Sequence, residues 1–72
     1  MKNIMKYKVT LSTKQLRLYG KELEVSFKTY ETAYQCFLAL VNDNKNSTEQ
    51  PIITLLEDNS RVWVWRKNDE NN

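Results

Sequence analysis

Few residues of this 72-residue chain could take part in catalysis. The chain contains no histidine, so the side chain that most often acts as a general base near neutral pH is missing. Ser-His-Asp and Cys-His arrangements, and most zinc sites, need that residue as well. A single glycine also excludes a glycine-rich phosphate loop. We therefore expect no enzymatic activity, no metal site and no cofactor.

The groups that remain to be considered are the single cysteine and two pairs among the nine carboxylates. Cys36 falls at the edge of an apolar helical stripe, where a small residue usually packs beside a core. Glu22 and Glu24 share one side of a predicted strand, whereas Glu57 and Asp58 share a predicted turn. Neither pair is predicted to be buried, so neither predicts acid-base catalysis. One cysteine cannot form an intramolecular disulfide, which favours a reducing compartment.

Two tryptophans near the carboxyl terminus indicate binding rather than catalysis. They lie two positions apart in the run SRVWVWRK, residues 60–67. Since a strand turns alternate side chains to opposite faces, Trp63 and Trp65 share one face. Val62 and Val64 share the other, and either pair can belong to the core. If the valines do, two large aromatic rings lie on an open surface, which would mark a binding face.

The first half of the chain is predicted to form three strands. Residues 5–11 alternate apolar and polar side chains, as a strand with one buried face does. Residues 16–19 and 22–27 alternate in the same way. Between them, Gly20 and Lys21 fit a two-residue hairpin loop, because glycine at its first position accepts the positive φ of a type II′ turn.

An amphipathic helix is predicted next. Thr29 can cap its first free amides, and Glu31 interacts favourably with the amino-terminal end of the helix dipole. From residue 30 the apolar side chains recur with the period of a helix and form one stripe. That stripe contains Tyr30, Ala33, Tyr34, Phe37, Leu38, Leu40 and Val41. The polar residues 42–48 that follow predict a loop.

Two further strands are predicted after Pro51, joined by Asp58 and Asn59 as a two-residue turn. The resulting register pairs Leu56 with Arg61, Leu55 with Val62, Thr54 with Trp63, Ile53 with Val64 and Ile52 with Trp65. It collects Ile53, Leu55 and the valines on an aliphatic side, and the tryptophans on a mixed aromatic and basic side. A three-residue loop would instead place the tryptophans beside Ile53 and Leu55.

The predicted fold is a single α+β domain over residues 1–67, followed by a polar tail, 68–72, that we expect to be disordered. Its antiparallel sheet has about five strands, in the chain order βββαββ, and one amphipathic helix packs on one face. A single helix leaves the other face bare, and the register puts the tryptophans there. The residues predicted to bind a partner on this face are Arg17, Tyr19, Arg61, Trp63, Trp65 and Lys67.

Two binding functions are compatible with such a face. The first is an inhibitor or adaptor that docks on a larger protein, because Trp, Tyr and Arg concentrate interface energy. A second copy of the chain is another possible partner, since an exposed last strand can pair edge to edge. The alternative is a single-stranded nucleic-acid binder that stacks bases on Trp63 and Trp65 and contacts phosphates through Lys6, Lys8 and Arg17.

The charge and the hydropathy pattern bear on the partner and the location. Net charge is only +2, but residues 1–28 hold seven basic against two acidic side chains, whereas residues 29–72 hold four against seven. No apolar run has the length of a signal peptide or a membrane span, so we expect a cytoplasmic protein that does not contact a membrane. Abundant lysine and asparagine with one glycine and one proline indicate an AT-rich genome. Very short intracellular proteins without catalytic residues are often encoded by phages or mobile elements, so we expect such an origin.

Overall fold

The computed structural model describes residues 5–67. Its elements in chain order are β1 (Tyr7–Ser12), α1 (Lys14–Leu18), β2 (Leu23–Phe27), α2 (Tyr30–Asn44), β3 (Ile52–Glu57) and β4 (Ser60–Arg66). The predicted α+β class, with an antiparallel sheet and one main helix, is confirmed. The predicted number of strands is wrong, because the sheet has four rather than about five. The tail that we expected to be disordered lies outside the described residues.

The second predicted strand is the short helix α1. Thr13 caps it, and the Thr13 hydroxyl accepts a hydrogen bond from the Leu16 amide at 3.1 Å. The Gly20 amide donates to the Arg17 carbonyl at the other end. The Lys21 amide donates to the Leu16 carbonyl, which completes a Schellman motif. Gly20 does have a positive φ of 67°, as expected, but it ends a helix and does not form a hairpin turn.

The strands form one sheet in the order β2-β1-β3-β4, and all neighbours are antiparallel. Val9 of β1 lies opposite both Val25 of β2 and Leu55 of β3, so β1 and β3 form the centre of the sheet. β2 and β4 are consequently the edge strands.

α2 covers one face of this sheet. It begins after Thr29, whose hydroxyl accepts a hydrogen bond from the Thr32 amide at 3.3 Å, as the predicted cap requires. The core consists of Val9, Ala33, Phe37, Ile53 and Leu55, all buried. Its strand residues all come from β1 and β3, so the helix packs over the two central strands and leaves the sheet edges less covered.

The β3–β4 hairpin has the predicted turn. Asp58 and Asn59 both have positive φ, 52° and 69°, which is the type I′ conformation that suits a two-residue hairpin loop. Leu56 lies opposite Arg61, also as predicted. Beyond this pair a β-bulge interrupts the ladder between Leu55 and Leu56, and Val62 is the extra residue in β4.

This bulge makes the rest of the predicted register wrong. Trp63 lies opposite Leu55 and Trp65 lies opposite Ile53, one position away from the predicted partners. Because directly opposed residues of an antiparallel pair point to the same face, both tryptophans lie on the face that α2 covers. Their predicted position on the open face is therefore wrong, and Val64 lies on that face instead.

Candidate interaction site

Trp63 lies in a group of aromatic rings at the flank of α2 that faces β4. Its indole Nε1 donates a hydrogen bond to the Tyr30 hydroxyl at 2.8 Å, and its ring centroid lies 6.2 Å from that of Tyr34. The rings of Tyr30 and Tyr34 stack at 5.5 Å, with an angle of 15° between their planes. Tyr7 of β1 meets Tyr30 edge to face at 5.9 Å. We call Tyr7, Tyr30, Tyr34 and Trp63 the aromatic cluster.

The helical period and the bulge bring the aromatic cluster together. Tyr30 and Tyr34 are four residues apart and so lie one above the other on the same side of α2. Leu38 is four residues further and continues that side toward the carboxyl end. Trp63 reaches these side chains because the bulge at Val62 turns it to the helix side of the sheet.

The aromatic cluster and Leu38 are accessible to a partner. Trp63 is 47% exposed, Leu38 46% and Tyr30 38%. The hydrogen bond and the ring contacts already fix the orientation of Trp63, so a partner that covers it would lose little additional side-chain entropy. Exposed, fixed aromatic side chains are typical anchors of protein interfaces. The sequence pattern did not identify Tyr30, Tyr34 and Leu38 as site residues. The one signal for them was the width of the apolar stripe of α2, which extends past the sheet.

Trp65 has different surroundings from Trp63. It is partly buried and packs against the core, where it lies opposite Ile53. The two tryptophans that the sequence presented as one predicted site therefore divide between a packing position and a half-exposed one. Of the pair, Trp63 is the better candidate for contact with a partner.

The open face of the sheet carries mostly polar and charged side chains, with Ile52, Leu56 and Val64 among them. A shallow depression of about 290 Å³ there is lined by Lys8, Thr10, Glu22, Glu24, Thr54, Leu56 and Arg61. Lys8 Nζ lies 3.7 Å from a Glu24 carboxylate oxygen, and both side chains remain partly exposed. Such a pair contributes about 0–1 kcal/mol. None of the strand residues on this face within residues 5–67 is aromatic.

Three other predicted site residues lie apart from both surfaces. The Arg17 guanidinium donates to the Gln50 carbonyl at 3.0 Å, which ties α1 to the segment before β3. Lys67 Nζ donates to the Ser47 carbonyl at 3.2 Å, so this ammonium holds the loop after α2. Tyr19 is the largely exposed residue that caps the carboxyl end of α1. The six predicted partner-binding residues thus do not form one surface.

Lys6 borders the aromatic cluster. Its Nζ lies 3.3 Å from a Glu57 carboxylate oxygen and 5.9 Å from the centroid of the Tyr7 ring. The hydrogen bond from Lys6 to Glu57 raises the pKa of this ammonium above its ordinary value. Its charge is therefore partly neutralised by a neighbour of its own chain.

Cys36 lies partly buried on α2 beside the core, and burial raises the pKa of its thiol. At pH 8 the fraction of Cys36 present as thiolate, the reactive form, is therefore smaller in the native protein than in the unfolded chain. We expect Ellman's reagent to react more slowly with native Cys36 than with the protein unfolded in guanidinium chloride, and the difference to shrink as pH rises. Glutathione in both buffers is the control for solvent effects, and equal corrected rates would contradict this expectation.

Comparisons with protein-family models, with curated proteins and with solved structures found no match for this chain. Within residues 5–67, neither helix combines the length and the apolar character needed to cross a bilayer. The same residues contain no group of three or more His, Cys, Asp or Glu side chains placed to hold a metal ion. The aromatic cluster is therefore assigned from its geometry alone.

Proposed function

We propose that this protein is a non-enzymatic binding module that docks on a larger protein through Leu38 and the aromatic cluster. The observation that supports this most directly is Trp63, a large aromatic side chain that Tyr30 and Tyr34 hold in place while about half of it stays exposed. In this proposal the module acts as an inhibitor or adaptor, because it covers a surface of its partner. A cytoplasmic location and a phage or mobile-element origin remain predictions from composition.

Three observations support a protein partner rather than a nucleic acid. Binding of single strands needs stacking rings and cations on one surface, yet Lys8 and Arg61 line the open face while Trp63 lies on the other. Lys6, the cation beside the rings, is paired with Glu57. Leu38 also extends the exposed surface with an aliphatic side chain, which suits an apolar pocket of a protein.

The test compares Trp63→Ala with Val64→Ala. The two residues are neighbours in β4 with nearly equal exposure, 47% and 46%, but they lie on opposite faces. We expect Trp63→Ala to weaken partner binding by about 2 kcal/mol or more, which is roughly thirtyfold in Kd, and Val64→Ala to leave it nearly unchanged. Affinity capture from cells of the natural source followed by titration of the captured protein measures both.

Trp63→Phe refines this test, because it keeps a ring but removes the N–H that donates to Tyr30. An intermediate loss is expected if the fixed orientation of the ring matters. Circular dichroism of each variant first verifies that the fold is retained. A partner that binds Trp63→Ala as tightly as the wild type would contradict the proposed docking surface.

A further inference from the structure

β2 is an edge strand whose apolar side chains are only partly covered. Leu23 and Val25 point to the helix side but are 56% and 52% exposed, because α2 packs over β1 and β3. The outer edge of β2 has no strand partner among residues 5–67. The start of α1 is tied to the segment before β3, where the Lys14 amide donates to the Glu49 carbonyl.

The other edge strand is protected against pairing with a copy of itself. β4 contains the bulge at Val62, which interrupts the regular spacing of its backbone groups. Its charged side chains within residues 60–67 are all basic, namely Arg61, Arg66 and Lys67. Bulges and charges of one sign are common means by which edge strands avoid self-association. β2 is regular, and its charges are of both signs, with Glu24 inside the strand and Glu22 and Lys28 at its two ends.

We propose that β2 pairs antiparallel with β2 of a second copy of this chain, with the two-fold axis at Val25. In this register Val25 lies opposite the partner's Val25, and Leu23 lies opposite the partner's Phe27. Glu22 lies opposite the partner's Lys28, and symmetry gives this pair twice. Neither Glu22 nor Lys28 has an ion-pair partner of its own within residues 5–67. Opposed apolar pairs and opposite charges both stabilise neighbouring strands.

Other registers are less favourable. An axis at Glu24 places that carboxylate directly opposite its copy, and like charges in this position destabilise a strand pair. An axis at Ser26 leaves Leu23 opposite the polar Thr29 of the partner. An axis between two residues sets helix-side residues of one copy against open-side residues of the other. An axis at Ser26 also opposes Glu24 with the partner's Lys28, but Glu24 already pairs with Lys8. Only the axis at Val25 opposes unlike charges and also pairs every apolar side chain of β2 with another apolar side chain.

The proposed dimer has one continuous eight-stranded sheet, twice the four strands of a single copy. Both α2 helices lie on the same face of this sheet, because opposed residues in the new pair point to the same side. Leu23 and Val25 of the two copies then form an apolar strip between the helices. The aromatic cluster is at the flank facing β4 and remains free, so dimerisation leaves the proposed docking surface accessible.

Sedimentation velocity over a range of protein concentrations tests the proposal. We expect a reversible dimer for the wild-type chain. Glu22→Lys and Lys28→Glu each replace two attractions by two repulsions and should weaken it about tenfold or more. The double variant exchanges the charges and should restore association. Glu49→Lys makes the same charge change in the exposed segment before β3, which β1 separates from β2, and should leave the dimer unchanged.

Two further variants keep the result interpretable. Val25→Lys changes a half-exposed site and brings two ammonium groups together on the axis, so it should give a folded monomer even if a charge reversal does not fold. Trp63→Ala should leave the dimer intact, which separates this proposal from the docking function. A wild-type chain that stays monomeric at every concentration overturns the proposal. So does a dimer that Val25→Lys or both single reversals leave unchanged, or one that Trp63→Ala abolishes.

Discussion

Leu55→Ala is expected to unfold this protein largely or completely at room temperature, whereas Leu56→Ala leaves it folded. Leu55 is fully buried in the core and lies opposite both Val9 and Trp63. Truncation of a buried leucine costs about 2–5 kcal/mol, and the cost is highest where rigid neighbours cannot close the cavity. A domain of this size rarely has more than about 3–5 kcal/mol in total, so the loss is comparable to the whole stability.

Leu56 is the matched control for this prediction. It is the next residue in β3, but it points to the open face and is partly exposed. Its truncation removes less buried area and leaves no enclosed cavity, so a loss of about 1 kcal/mol is expected. Urea unfolding followed by circular dichroism measures both variants. If Leu56→Ala is the more damaging change, the assignment of the two faces of β3 is wrong.

The parts of the fold that the sequence predicts correctly are those fixed by residues close together in the sequence. Asp58 and Asn59 tolerate positive φ because of their own short polar side chains, so the turn and the first pair after it follow from local chemistry. Thr29 caps α2 for an equally local reason. The bulge at Val62 has no such signature, because the alternation of β4 continues through it. The bulge lets Trp65 pack against core residues that are distant in the sequence. The alternation within β4 does not show which of its two faces makes these contacts.

The error at α1 has a different origin. Residues 16–19 alternate over four positions only, which is too short to distinguish a strand from one turn of helix. Thr13 and Gly20 are a cap and a terminating glycine spaced for a helix of five residues, and these two signals were present in the sequence. A hairpin loop and the end of a helix both require a positive φ at Gly20, so this glycine alone does not distinguish the two structures.

The candidate site was predicted in part. The two-residue turn register predicts Trp63 on the open face; Trp63 is half-exposed, but it lies on the helix side of the sheet. Tyr30 and Tyr34 were assigned to the covered stripe because the helical period alone does not show where the sheet ends. β4 lies at the edge of that sheet, so no further strand lies beside it and the flank of α2 above it stays partly open.

Deletion of Val62 is expected to leave both tryptophans in place, whereas deletion of Val64 displaces one of them. Without Val62, Arg61 can still pair with Leu56 and Trp63 with Leu55, so a regular ladder replaces the bulge. Without Val64 the tryptophans become adjacent, and adjacent strand residues point to opposite faces. Trp65 then leaves the core, which costs about 1.5–3 kcal/mol in lost burial of a large apolar side chain.

Urea unfolding and native tryptophan emission distinguish these outcomes. The two deletions are matched, since each removes one valine from the same strand and the two proteins have identical compositions. The chain without Val62 should keep a midpoint and an emission maximum close to those of the wild type. The chain without Val64 should unfold at lower urea and emit at longer wavelength, as a more hydrated indole does. A shift to shorter wavelength on deletion of Val62 would contradict the bulge, since only tryptophans that began on the open face could move beneath the helix.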